Sequence, residues 1–504
     1  MAVLVAGGTV AVLLWVASTT EFVRDRAVNA LNARFDSQVE LGSMEVGVFP
    51  TLSLGGTDLH LRHMGRTDVP PLISVGAFEA TAGLYGLYGK PFHLRNVTLD
   101  RFEIRLPPGG MKLLPENDTR ASRSDAPPIT LDEIRSTAAT LEIASRRPGR
   151  LPRVFEIHDL VMTGFGGAEG APFHAGLTNP IPRGRVETSG TFGPWDAEDP
   201  RLTPLSGEFA FKNANMNDIK GLAGTLSSVG RYSGVLQRIG VEGQAEIPDF
   251  SIDVSGQQVP LRTQFKAVVD GTNGDTFLER VEARLRETLI IASGSVARTM
   301  DIKGRQTQLD FRIEGGRIQD LLELAVKGNA TPLTGRVDVN ASFLLPAGRD
   351  AVIDRLQLEG QFKLASARFT NIDVQQKINM LSRTGRGIEE DDTTGQSVVS
   401  NLGGRFRLND GVLTLSDLTF AVPGASVELA GTYHLRSEQM AFAGNLLLDA
   451  SLPDTLGGFT SILARAAQPF FRRPGGGSKL PIRIAGPRAR PAFGLDVRRA
   501  FWFG

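Results

Sequence analysis

Residues 402–451 read LGGRFRLNDGVLTLSDLTFAVPGASVELAGTYHLRSEQMAFAGNLLLDAS. Apolar side chains recur there at every second position: Phe406 and Leu408, Leu413 and Leu415, Leu418, Phe420 and Val422, Val427 and Leu429, Tyr433 and Leu435, Met440 and Phe442, Leu446 and Leu448. Between the runs stand Asn409-Asp410-Gly411, Pro423-Gly424 and Ser437-Glu438, residue types that supply a positive or preset φ for tight reversals. Period two bounded by turn residues predicts a β-meander with one apolar face. Arg405, Arg407, Glu428, Thr432, His434 and Gln439 fall on the opposite face, which therefore meets water. What covers the apolar face decides the fold and the function.

Outward from this stretch the pattern repeats. Val39 and Leu41, Leu52 and Leu54, Leu59 and Leu61, and Phe102, Ile104 and Leu106 form an amino-terminal ladder of short strands, and further strands run from Ile129 to Leu364 with glycines between them. Helical spacing appears at Glu21–Phe35, where Val23, Ala27, Leu31 and Phe35 share a stripe, in a short patch at Asp218–Leu226, at Ile318–Val326, and at Asp373–Thr384. Pro107–Pro128 is rich in Pro, Gly, Asp and Ser without periodicity and reads as a linker. With 57 glycines in 504 residues and few helices, the composition predicts an almost all-β chain.

Charge and chemistry exclude several classes. The formal net charge is zero, so no global field points to nucleic acid. The absence of cysteine removes disulfides, thiolate nucleophiles and Cys-ligated metals. The six histidines are scattered, and His60 and His63 on an alternating strand face opposite sides, so no metal set is expected. Gly271–Thr276 reads as a hairpin turn rather than a phosphate loop. No catalytic residues and no cofactor are expected.

Residues 1–20, MAVLVAGGTVAVLLWVASTT, carry no charge and are long enough as a helix to cross a bilayer core. They read as a transmembrane anchor, with a signal peptide as the rival. At the other end nine basic residues between Arg465 and Arg499, including Arg472, Arg473, Arg483, Arg488 and Arg490, face Asp496 alone, beside Phe470, Phe471, Phe501, Trp502 and Phe503. Such a cluster suits anionic head groups as well as a solvated face. Leu456–Phe471 adjoins it as a candidate amphipathic helix.

Stacked sandwiches, closed barrels and a single curled sheet all satisfy the alternation, and on the residues alone sandwiches are favoured. One further feature separates them. LASARFT at 364–370, GRFRLNDGVLTLSDLTFAVPGASVELAGTY at 404–433, and PFF followed by GGGSKLPIRIAGPRARPAFGLD within 469–496 resemble the carboxyl-terminal part of the bacterial AsmA-like family of envelope proteins. The stretches at 31–61 and 93–106 are similar to the family's amino-terminal region. This resemblance implies a mainly β fold: an N-terminal membrane helix, then a long curved antiparallel sheet forming a hydrophobic groove, with a few short helices. It divides the chain into an anchor (1–20), an amino-terminal helix and sheet (21–106), the linker (107–128), a middle groove region (129–358), the carboxyl-terminal region (359–496) and a basic, aromatic tail (497–504).

The role so implied is non-catalytic: a conduit or shuttle for phospholipids or other acyl lipids between inner and outer membrane, held in the inner membrane with its bulk in the periplasm. An outer-membrane or periplasmic protein partner is a further expectation. The groove is expected to be lined by Phe406, Leu408, Leu413, Leu415, Phe420, Leu429, Phe442 and Leu446, with the five arginines above at head groups. The alternative is an assembly factor whose sheet edge templates client strands of outer-membrane proteins.

Overall fold

A computed structural model describes residues 20–29, 31–32, 37–47, 52–63, 67, 70–83, 92–106, 129–143, 153–196, 199–298, 305–328, 331–348, 350–386, 398–450 and 477–496. The protein is mainly β, in keeping with the alternation. Its strands are β1 (Ser37–Gly47), β2 (Leu52–His63), β3 (Ile73–Ala82), β4 (Phe92–Leu106), β5 (Ile129–Ser136), β6 (Ala139–Ile143), β7 (Arg153–Phe165), β8 (Ala171–Pro180), β9 (Arg183–Phe192), β10 (Pro204–Asn215), β11 (Leu222–Ala223), β12 (Thr225–Val235), β13 (Arg238–Ile252), β14 (Val259–Val269) and β15 (Thr276–Leu285). They continue as β16 (Thr288–Arg298), β17 (Arg305–Arg317), β18 (Leu333–Leu345), β19 (Gln357–Phe369), β20 (Ser400–Asn409), β21 (Val412–Val422), β22 (Ala425–His434), β23 (Gln439–Leu448), β24 (Ser478–Pro487) and β25 (Ala492–Leu495). The α-helical segments among the described residues are α1 over residues 20–29, α2 (Ile318–Ala325), α3 (Val352–Arg355) and α4 (Ile372–Arg386). The helix expected at Asp218–Leu226 is instead a single 3-10 turn at Met216–Asp218 followed by β11 and β12, whose backbone groups pair within the sheet.

The chain forms two compact units. The first comprises Met1–Asn215, Leu226–Ala245 and Lys266–Thr276; the second comprises Met216–Thr225, Glu246–Phe265 and Phe277–Gly504. In the first unit β1 to β4 pair antiparallel in chain order. The antiparallel expectation fails at the next step, because β5 and β6 both lie parallel to β4, Phe92 opposite Ile129 and Phe102 opposite Ala139. A parallel neighbour requires a long return connection. Residues 107–128, the expected linker, join these strands and lie outside the described residues. Antiparallel order resumes through β7, β8, β9 and β10.

The expected single membrane span at the amino terminus is corrected. Among the described residues no helix is long and apolar enough to cross a membrane; residues 1–19 lie outside them. The described helix α1 is amphipathic instead, with Glu21, Arg24 and Asp25 exposed. Its Val23 is fully buried against Leu52, Leu54, Ala80, Ala82, Leu94 and Val97, with Ala27 and Leu31 alongside. A stripe of this kind is what a helix needs to close the end of a sheet.

In the second unit β16 to β25 pair antiparallel, each with the next. The register breaks repeatedly: between Ile313 and Gly316 in β17, Leu364 and Ala367 in β19, and Leu415 and Leu418 in β21. Each break is a bulge, in which an extra residue bends the strand and raises its twist. Ser366 and Asp417 within them hold φ near +54° and +52°, a region non-glycine residues enter at a cost. In β21, Ser416 and Asp417 together oppose Ala430, so Leu413 and Leu415 before the bulge share a face with Leu418 and Phe420 after it despite the odd offset.

Candidate functional site

Cross-strand register places all eight expected lining residues on one face of the second unit. Leu408 stands opposite Leu358 and Leu413, Phe406 opposite Leu415, Phe420 opposite Val427, Leu429 opposite Leu418, Phe442 opposite Gly431 and Ile484, and Leu446 opposite Val427 and Leu480. Paired residues point the same way, so the apolar face is continuous from β19 to β24. The other face carries Arg407 on Glu359, with Nη2 to Oε2 at 3.0 Å, and that hydrogen bond raises the Arg407 pKa.

Both ends of the apolar face are covered. At the end where β17 leads into α2 and β19 into α4, Ile378 of α4 packs on Val422, Ala425, Leu448 and Leu480, joined by Phe420 and Leu446. Ile318 and Leu321 of α2 pack with Ile313, Val337 and Leu364. Polar ties fix α4: Gln375 accepts from Phe369 N at 2.9 Å and donates to Val398 O at 3.0 Å, Asn379 accepts from Val398 N at 3.0 Å, and Ser382 donates to Pro423 O at 2.8 Å. Asp320 anchors α2 from within, 2% exposed and accepting from Thr288 Oγ1 at 2.8 Å. At the opposite end Ala351 and Ile353, in and beside α3, pack with Val254 on Leu408, Leu358 and Leu413.

Contacts reach across the helices of this unit. Arg488, just past β24, donates to Lys327 O at 3.2 Å, in the segment that follows α2, and Lys377 of α4 sits 5.7 Å from the ring centroid of Phe493 on β25. Both helices rest on the apolar side of the strands. Between the end covers, Leu415, Leu429, Phe442 and Ile484 are half-buried and lie outside those packed clusters.

A clasp holds α3 in place. Arg436 donates to both oxygens of Asp354, at 2.8 and 2.9 Å, and its Nη2 lies 3.9 Å from Asp253. The Arg436 hydrogen bond holds the Asp354 carboxyl below its usual pKa. A carboxyl lowered in the folded chain contributes stability above its ordinary value and loses it as pH falls through the lowered one. Acidification through the lower carboxylate range is therefore expected to speed amide hydrogen exchange at residues 351–356 before it does so in β20 to β23. Arg436→Gln should produce the same local loosening at neutral pH with little change in global stability, because so exposed a pair is screened by solvent. Nearby, burial pushes the Tyr433 phenol pKa up, with the charge of Glu438 adding to it.

The expected head-group arginines do not form one cluster among the described residues. Arg472 and Arg473, with the candidate helix at 456–471 and the tail at 497–504, lie outside them. Arg483 is exposed on β24 between Ile482 and Ile484, hence on the polar face. Arg488 is engaged by Glu438 at 3.4 Å and Lys327 O, and Arg490 is exposed in the turn before β25.

A concavity of about 1080 Å³ lies on the polar side, where Asp310, Arg312, Asn340, Gln361, Arg405 and Arg407 contribute to its lining. Charges there are partly paired internally, Glu359 with Arg407 and Ser342 with Asp310. Among the described residues no group of three or more His, Cys, Asp or Glu side chains could hold a metal ion. His60, His93, His158 and His174 each meet a hydroxyl of Ser74, Thr130, Thr178 and Ser189.

No family model, curated protein or solved structure matches this chain.

Proposed function

We propose that the apolar face of the second unit binds acyl chains and that the protein is a non-catalytic conduit or shuttle for phospholipids between the membranes of a cell envelope. The half-buried strip of Leu415, Leu429, Phe442 and Ile484 between two covered ends carries this reading. A strip of large side chains left partly in water keeps only a fraction of the roughly 1.5 to 3 kcal/mol that full burial of each would give, and a mobile acyl chain fills such a space without demanding a fixed shape. Polar groups of the same lipid remain at the rim. The resemblance to the AsmA-like family supports the same reading from the sequence motifs alone.

Client-strand templating fits less well at the β1 edge. Arg24 donates to Leu41 O at 2.9 Å, and Asn32 accepts from Val39 N at 2.9 Å. An added strand would have to displace both.

Lipid extraction of the purified full chain followed by mass spectrometry is expected to return phospholipid in stoichiometric amount. Photo-crosslinking side chains at Phe406, Leu415, Leu429 and Phe442 should capture it, and those at Arg407 and Glu428 should not. Equal labelling of the two faces, or lipid-free protein, overturns the reading.

A further inference from the structure

Five large apolar side chains of the second unit are exposed among the described residues: Phe277, Ile372, Met380, Val399 and Phe493. Four of these surround α4. Ile372 and Met380 lie on the helix eight residues apart, 72% and 54% exposed, and at 100° per residue they fall within one 80° sector. Val399 adjoins Val398, which is tied to Asn379, and Phe493 lies beneath Lys377. The opposite side of α4 is the one that packs, through Ile378, on the sheet.

Cations are set among these side chains. Lys377 and Arg386 are exposed and Arg383 is half-buried, against Asp373 as the one acid of the helix. None of the three cations pairs with a carboxylate among the described residues. Two aliphatic tips projecting from a helix whose polar flank is net positive form the pattern of an interfacial helix, in which the tips enter the acyl boundary and the cations reach phosphate oxygens.

We infer that the outward face of α4 docks the protein on an anionic phospholipid bilayer, at the end of the sheet where α4 covers the apolar face. The inference goes beyond acyl binding and stands on a different surface. Its test is flotation of the full chain with vesicles of phosphatidylcholine alone and of phosphatidylcholine with phosphatidylglycerol. Wild type should float with the anionic vesicles, several-fold less with the neutral ones, and should be released by high salt. Ile372→Asp and Met380→Asp should each weaken flotation about tenfold, and Lys377→Glu with Arg383→Glu should abolish the preference for anionic lipid.

Both aliphatic side chains project into solvent, so circular dichroism and the lipid content of the purified variants should match wild type. Loss of flotation with retained bound lipid separates docking from acyl binding. Wild type that ignores anionic vesicles, or variants that float as wild type does, overturn the inference. A wild type that fails to float but dissociates from dimer to monomer on Ile372→Asp assigns the patch to contact between protein chains and also overturns it.

Discussion

Leu429→Arg is expected to fold with undiminished β circular dichroism and to lose its bound lipid. Leu429 stands opposite Leu418 and Gly444, half-buried, in the strip between the end covers. A guanidinium placed among acyl chains costs several kcal/mol unless it reaches water, and a long side chain on an open strip reaches the rim by extending its stem. The fold survives while the apolar channel does not. Lipid per protein, measured after extraction, should fall at least tenfold. Leu413→Arg makes the contrast, because Leu413 packs with Leu408, Val254 and Ile353 beneath α3. There the guanidinium would displace side chains that seat α3, and loss of structure around α3 is expected. Global unfolding by Leu429→Arg would show the strip to be a packed core and would remove the basis for lipid binding.

Gly444→Val is expected to disrupt the pairing of β22 with β23. A Cβ on Gly444 would overlap the backbone carbonyl of Glu428 and crowd the Cα of Leu429. Backbone cannot yield as a side-chain tip can, so the cost should reach about 3 kcal/mol, the upper end for overpacking. Hydrogen exchange should report lost protection across Ala425–Leu448. Gly494→Ala is the control, since nothing lies within 4 Å of its added carbon. Retained protection in Gly444→Val would show that the β22–β23 pair accommodates a side chain there and that the close approach is not needed for pairing.

The meander was legible because each strand of 402–448 carries its own alternation and its own turn residues. Its bulges were not. Leu415 and Leu418 differ in parity, and only the partner strand shows that Ser416 and Asp417 together face Ala430. The parallel placement of β5 and β6 beside β4 also left no trace in residue periodicity, which is the same in either direction. The helix α3 is four residues long, too short for any helical period, yet with Ala351 and Ile353 it covers one end of the site. The ties made by Gln375, Asn379 and Ser382 read in sequence as ordinary helix polar positions. Their role comes from the strands that α4 crosses. That the eight apolar residues share a face follows from alternation within each strand together with the bulge in β21, which alternation does not reveal, whereas the positions of the arginines depend on where distant turns finish in space.

The bulge at Ser416 and Asp417 makes β21 one residue longer than its facing pattern needs. Deleting Asp417 would leave Leu415 and Leu418 two positions apart, so the strand could pair regularly with β22 and still present Leu418, Phe420 and Val422 to the apolar face. What such a deletion removes is the local bend and twist. Deleting both Ser416 and Asp417 would set Leu415 directly beside Leu418, and a regular pairing would then turn Leu418, Phe420 and Val422 out to the wet face while bringing Thr419 and Ala421 in. Tolerance of this region to shortening is accordingly governed by counting: the loss of one residue keeps the faces of β21, and the loss of two inverts half the strand.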